Sequence, residues 1–176
     1  MKIYVIAAIS RNRALGYQGK LIYNIREDLQ RFRRLTERHT VIMGRKTFES
    51  LPNGALPLRH NIVISRTLPE ADMNDWTSDY TTLDVCTSLD EALDICRKRN
   101  ERVVFIIGGA SIYQQIVDMG IADKFYMTEV DDIPEQADCF FPEIPDNYDV
   151  EWAEVHTTQK GLQYSFVDYY KIKERS

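Results

Sequence analysis

Asp28 stands where a helix of this sequence should be oily. Read at a helical repeat, residues 24–36 place Ile25, Leu29, Phe32 and Leu35 on one stripe, at i, i+4, i+7 and i+10. Asp28 is i+3 from Ile25 and i−4 from Phe32, so its carboxyl falls inside that stripe. Glu27 points the opposite way, with Arg26, Gln30, Arg33 and Arg34 on the wet side. A charged, unpaired carboxylate facing a core costs several kcal/mol, so it must be hydrogen-bonded, neutralised or used on a ligand. A core-facing Asp satisfied by backbone amides or a buried arginine is the alternative.

Other chemical groups follow apolar runs. Val41-Ile42-Met43 leads into Gly44-Arg45-Lys46-Thr47, a tight turn opening a helix that bears two cations. Ile62-Val63-Ile64 leads into Ser65-Arg66-Thr67, and Phe105-Ile106-Ile107 into Gly108-Gly109-Ala110-Ser111, again at a helix start. Free amides at a helix N-terminus, unobstructed by Cβ atoms, make an anion site, and arginines add charge-assisted contacts to phosphate. Together they suggest a dinucleotide whose extra phosphate meets Arg45, Lys46 and Arg66. Singly, a Gly-Gly pair can be only a turn, and Gly-Arg-Lys-Thr only a solvated helix start. The G-x-G-x-x-G fingerprint is absent, so a conventional Rossmann site is not expected.

The elements that must position these groups alternate. Short Val/Ile-rich runs at 3–8, 40–43, 61–65, 102–107 and 123–130 read as buried strands; 24–36, 45–50, 88–99 and 110–119 read as helices. This order predicts an α/β fold, a single domain over 1–176. Its central, mostly parallel sheet of about eight strands carries helices on both faces. Residues 150–158 and 163–171 alternate polar and apolar around Lys160-Gly161, which predicts an antiparallel C-terminal hairpin. Residues 67–82 read as a loop or a ragged short strand. Asn24, with Glu27 three residues on, is the expected cap of the first helix, and Thr87 or Ser88 that of the third. Ligands of such sheets bind beyond the carboxyl ends of the strands.

Composition narrows the classes. The 176 residues are 44% hydrophobic and 28% charged, enough for a real core. A net charge of −5 argues against a nucleic-acid partner. The apolar N-terminal run is short and followed at once by Arg11 and Arg13, so it reads as a strand rather than a leader, and no stretch is long enough to span a membrane. Three cysteines and three histidines show no metal-type spacing, so no metal is expected, and the odd cysteine count fits a reducing, cytoplasmic compartment. With no extra apolar helix or long exposed strand, a monomer is the default.

The order and spacing of these motifs resemble the dihydrofolate reductase family. The resemblance is carried by Ile6-Ala7-Ala8, Arg13-Ala14-Leu15-Gly16, Leu21-Ile22-Tyr23-Asn24 and Glu27-Asp28-Leu29-Gln30-Arg31-Phe32. It continues through Val41-Ile42-Met43-Gly44-Arg45-Lys46-Thr47, Leu56-Pro57-Leu58-Arg59, Ser65-Arg66, Ile107-Gly108-Gly109-Ala110-Ser111-Ile112-Tyr113 and Met127-Thr128. It is dense over the first 66 residues and around 103–142, and poor across 67–85.

The resemblance implies hydride transfer from NADPH to C6 of 7,8-dihydrofolate with protonation of N5, yielding tetrahydrofolate. Asp28 would be the acid that meets the pterin, Thr128 the hydroxyl that orients it, and Tyr23 a polar tip able to reach it through water. Ile6, Ala8, Leu21, Phe32, Leu51, Ile107 and Tyr113 would border the substrate, with Arg59 on its α-carboxylate. Arg45, Lys46, Thr47, Ser65 and Arg66 would hold the adenosine half of NADPH and its 2′-phosphate. Gly108, Gly109, Ala110 and Ser111 would hold the pyrophosphate, with Ala8, Leu15, Gly16, Gly44, Ile107, Ile112 and Tyr113 nearby. The family's Gly-Gly peptide is cis, its 14–24 counterpart is a mobile closing loop, and antifolates are its inhibitors. The sequence departs from the family at Ile22 and Tyr23, where Pro-Trp is usual, at Arg26, often Pro, and at Ser111, often Arg. These departures are expected to alter turnover and antifolate sensitivity more than reaction type. Other outcomes are a pterin or pyrimidine reductase on the same fold, or an NADPH-binding relative with impaired catalysis.

Overall fold

Alternation of side chains along the strands sorts the core into two layers. In the computed structural model, which describes residues 1–67 and 80–173, the strands are β1 (Lys2–Ile9), β2 (Ala14–Tyr17), β3 (Lys20–Leu21), β4 (Thr40–Gly44), β5 (His60–Ile64), β6 (Thr82–Cys86), β7 (Val103–Gly108), β8 (Lys124–Val130), β9 (Cys139–Phe140), β10 (Tyr148–Thr157) and β11 (Gln163–Lys171). The helices are α1 (Arg26–Thr36), α2 (Arg45–Ser50), α3 (Leu89–Lys98) and α4 (Ala110–Met119). Ile3, Val5, Ala7, Ile42, Val104, Ile106, Phe125 and Met127 pack on one face with Leu89, Leu93, Ile112 and Ile116 of α3 and α4. Their neighbours Ile6, Val41, Met43, Phe105 and Ile107 pack on the other with Phe32, Leu35, Phe48 and Leu51 of α1 and α2. A period of two in the strands thus assigns each residue to a helical layer.

The large sheet has the order β10-β11-β8-β1-β7-β4-β5-β6, in which β11 alone runs against the rest. The expected α/β architecture and C-terminal hairpin are therefore present. From β4 the chain steps outward through β5 to β6, then returns to insert β7 between β1 and β4 before crossing to β8. That reversal opens a crevice at the carboxyl ends of β1, β7 and β4, as parallel sheets require.

Two expectations need correction, the cap of α1 and the character of β10, and others are refined. Asn24 does not cap α1: Ile25 holds the cap position without a side-chain hydrogen bond, because it is buried against Val130, Tyr164 and Phe166, and that packing sets the helix entry. At α3 the expectation at Ser88 holds, its hydroxyl accepting from the Glu91 amide while the Glu91 carboxylate accepts from Thr87. Residues 82–86, of which only Thr82 falls in the stretch read as a loop or ragged strand, form β6 at the sheet edge beside β5, and 68–79 of that stretch lie outside the described residues. Within the segment 14–24, expected to close over the site, residues 14–21 form a ribbon that pairs with β9 in a second, three-stranded sheet, with Ala14 and Leu15 buried. Finally, β10 is a long, largely exposed edge strand, which the monomer argument had excluded. Its bulge between Val150 and Trp152 and its acidic residues Asp149, Glu151 and Glu154 are the usual guards of such an edge.

Candidate active site

Helix α1 crosses the sheet with its first turn over β8. The buried Thr128, on the strand face that carries Tyr126, donates its hydroxyl hydrogen bond to Asp28 Oδ1. Burial pushes the Asp28 carboxyl above the usual carboxylate range, and the Thr128 hydrogen bond and the Arg31 charge only partly offset that push. Among the described residues no cation lies within ion-pair distance of Asp28; Arg31, the nearest candidate along the helix, is paired with Asp168. The middle of the apolar stripe is uncovered as well: Leu29 is 45% exposed, whereas Ile25, Phe32 and Leu35 pack into the core layers. A carboxylate and an apolar strip are thus left facing the same open crevice.

The apolar wall continues through Phe32, Leu51, Ile6 and Ile107, which share one cluster. Leu21, expected in this wall, lies on β3 with 64% exposure and belongs to none of the apolar clusters. At the far end of α1, Arg59 is only 6% exposed. It donates to the Pro57 carbonyl at 2.8 Å and to the Thr36 hydroxyl at 3.1 Å, and its guanidinium lies 5.9 Å from the Phe32 ring. No carboxylate among the described residues pairs with it. Burial pulls its pKa down, and the nearby Glu37 carboxylate opposes that shift only in part.

On the other side of β1, the cis peptide Gly108–Gly109 leads from β7 into α4, with Gly109 in the cap position. A Cβ on Gly108, whose φ is +127°, would stand 3.3 Å from both the Thr47 Oγ1 and the Tyr113 Oη. A Cβ on Gly44 would come within 3.8 Å of the Gly109 nitrogen. The three glycines and Thr47 therefore form one small-residue cradle beside the amides of Ala110, Ser111 and Ile112, which a helix start leaves without intrahelical acceptors. Tyr113 is buried, donates to the Ile6 carbonyl at 2.7 Å and packs at a tilt against Phe141. Ala8 is half-buried at the end of β1, and Leu15 is in the core. Gly16 pairs with Leu21 and Cys139, and a Cβ there would meet the Lys20 carbonyl oxygen at 2.9 Å. Arg45 is held by Glu49 one turn on at 3.0 Å, Lys46 and Arg66 are exposed, and Ser65 is buried with its amide bonded to the Cys86 carbonyl at 2.8 Å. These cations stand at the carboxyl ends of β4 and β5, on the rim beyond the cradle.

Tyr23 has a direct partner that the sequence did not show. Its hydroxyl donates to Asp132 at 2.8 Å, and partial burial, followed by this bond, raises its pKa. The sequence reading also missed Thr36, which carries Arg59, and Arg31, which pairs with Asp168. A signal existed for Arg31, since it lies i+3 from Asp28 and i−4 from Leu35 at the edge of the apolar stripe. Among the described residues no group of three or more His, Cys, Asp or Glu could hold a metal ion, and no helix is long and apolar enough to cross a membrane.

Comparison with known proteins agrees with this geometry. The profile of the dihydrofolate reductase family matches residues 2–171. The dihydrofolate reductase of Neisseria gonorrhoeae is 39% identical over 173 residues, covering 96% of this chain and 98% of that protein. That of Bacillus subtilis (strain 168) is 35% identical over 175 residues, covering 96% and 94%. That of Aedes albopictus is 32% identical over 189 residues, covering 97% and 98%.

Proposed function

Because the chain belongs to the dihydrofolate reductase family, we propose that it reduces 7,8-dihydrofolate to tetrahydrofolate, with NADPH as cofactor. The observation that carries this reading is Asp28: a half-buried carboxylate with a raised pKa and one neutral hydrogen-bond donor, with no cation at ion-pair distance among the described residues, beside an uncovered apolar wall. Such a group needs a ligand with two donors in line. The 2-amino group and N3 of a pterin supply them. Thr128 fixes the carboxylate plane for that bidentate contact, and Phe32, Leu51 and Ile107 flank the ring and the benzoyl group that follows. Arg59, a buried cation with which no carboxylate among the described residues forms an ion pair, takes the substrate's α-carboxylate at the other end of the wall.

The cradle fits a dinucleotide, because its glycines leave the room that a phosphate-bearing backbone needs at a helix start. Gly108, Gly109, Ala110 and Ser111 hold the pyrophosphate, and Arg45, Lys46, Thr47, Ser65 and Arg66 hold the adenosine half and its 2′-phosphate. When bound, a reduced nicotinamide supplies the hydride that adds to C6. Asp28 holds the pterin in the form whose N5 is readily protonated, with the proton delivered through water, and the wall excludes bulk solvent from the site. The working unit is a monomer, and antifolates that offer Asp28 a protonated amidine-like edge compete with the substrate.

The test is loss of NADPH absorbance on adding dihydrofolate to the purified protein. Rapid, dihydrofolate-dependent loss is expected; tight NADPH binding without oxidation would instead mark a catalytically impaired relative. A Gly108→Ala substitution tests the cofactor side separately. With a Cβ 3.3 Å from Thr47 and Tyr113 at a positive φ, it is expected to weaken NADPH binding by about tenfold or more, read by quenching of protein fluorescence.

A further inference from the structure

The charge next to Asp28 is not left to solvent. Arg31, one helical turn after Asp28, reaches the other way, to β11: its Nη2 donates to Asp168 Oδ1 at 2.6 Å, with the two side chains only 12% and 15% exposed. Its guanidinium lies 4.5 Å from the Phe166 ring centre, 5.6 Å from that of Trp152 and 5.7 Å from that of Tyr126. The register of the sheet explains the cage. Tyr126, Asp168 and Trp152 are paired neighbours in one row across β8, β11 and β10, and Thr128 and Phe166 are paired in the next row on the same face. Arg31 therefore spans both rows, paired with Asp168 in one and lying over Phe166 in the next, where Asp28 meets Thr128. Three residues along a helix advance about 4.5 Å and two along a strand about 6.7 Å, so the two contacts fix both the height and the roll of α1 over the sheet.

We propose that Arg31 is a positioning residue for Asp28, clamped by Asp168 and Phe166 of β11 so that the carboxylate stays in register with the Thr128 hydroxyl beside a fixed positive charge. A salt bridge buried this deeply adds little stability by itself and is costly to break; here it sets where the acid stands and what charge it feels. The other ionisable groups facing Asp28 are Tyr164 on β11 and Tyr113 on α4, with Asp168 and Tyr126 around Arg31; Glu27 acts on Tyr164 from the other side of the helix. All but Arg31 are anionic or neutral, so Arg31 is the positive charge among them and Asp168 its counterweight.

The two halves of the clamp must then act on Asp28 with opposite sign. This rests on the reading of Asp28 as the acid of the site, but its test does not need turnover: the Asp28 carboxyl is titrated by carbon NMR in the ligand-free protein, its resonance identified by loss in Asp28→Asn. Arg31→Met removes the cation and is expected to raise the Asp28 pKa by roughly half a unit to one unit. Asp168→Asn leaves the cation uncompensated and is expected to lower it by a similar amount. The acid limb of the kcat/KM profile should move in the same two senses. Shifts of the same sign in both variants, or none in either, overturn the proposal. Should Arg31→Met fail to fold, Asp168→Asn, which keeps a hydrogen-bond partner for the guanidinium, decides alone. If Asp28→Asn kept full activity, the functional reading would fall while the titration still judged the clamp.

Discussion

Replacing Asp28 with Asn is expected to lower kcat/KM for dihydrofolate at pH 7 by about 10²–10⁴-fold, the range that a positioned acid–base group contributes, and to make the protein more stable at the same time. The loss of rate follows from the ligand chemistry. Asn can accept from only one of the two pterin donors, brings a competing amide, and cannot stabilise a protonated pterin. The deficit should be largest at neutral and alkaline pH and shrink in acid, where solvent protonates N5 without help.

The gain of stability follows from the direction of the pKa shift. The folded carboxyl titrates above its ordinary value of 3.8 because burial penalises its charged form. Below that ordinary value the folded and unfolded chains both hold the proton and no penalty exists. As the pH rises through the folded pKa, the buried group must ionise and the stability present in acid is lost. Asn carries no such charge, so the variant should melt about 2–4 °C above the parent at pH 7, the scale of ~1 kcal/mol in a domain of this size. The difference should close in mild acid. Paired thermal melts at the two pH values check the sign. An Asp28→Asn variant less stable at pH 7 than the parent would mean that Thr128 and Arg31 together outweigh the desolvation.

Arg59→Lys is the second large effect expected, and it should have a different kinetic shape. The guanidinium is aligned by the Pro57 carbonyl and the Thr36 hydroxyl, so its remaining donors are presented as a fork. Lysine keeps the charge but not the fork. An α-carboxylate sits far from the reacting carbon and is held equally before and during hydride transfer, so its loss is uniform binding. KM for dihydrofolate is expected to rise about 10–100-fold, ~1.4–2.8 kcal/mol, with kcat changed less than about threefold. A substrate lacking the glutamate, 7,8-dihydropteroate, provides the control, because parent and variant should then reduce it alike. Equal losses on both substrates would remove Arg59 from the carboxylate site.

Much of this was legible in the chain. The alternation of Val/Ile-rich runs with amphipathic stretches specified a parallel sheet with two helical layers, because period-two and period-3.6 patterns survive any arrangement of the elements. The misplaced carboxylate of Asp28 marked the site for the same reason: periodicity is local, and a charge that violates it is visible without coordinates. The Gly-Gly and Gly-Arg-Lys-Thr turns were visible too, since a glycine before a helix is a local signal.

The rest depended on which residues meet across the fold. That Thr128 meets Asp28, a hundred residues away in sequence, depends on β8 lying beside β1. That Tyr23 bonds Asp132 depends on where the 14–21 ribbon pairs with β9, and short strands with weak alternation leave that register unspecified. That Ile25 rather than Asn24 begins α1 depends on the pocket that β8 and β11 offer it. The Arg31–Asp168 clamp is the same kind of fact: each residue alone reads as a solvated charge, and only the pairing of β11 with β8 buries them together. Sequence patterns report the environment a residue requires, whereas partners separated by a hundred positions are chosen by chain topology, which no local pattern encodes.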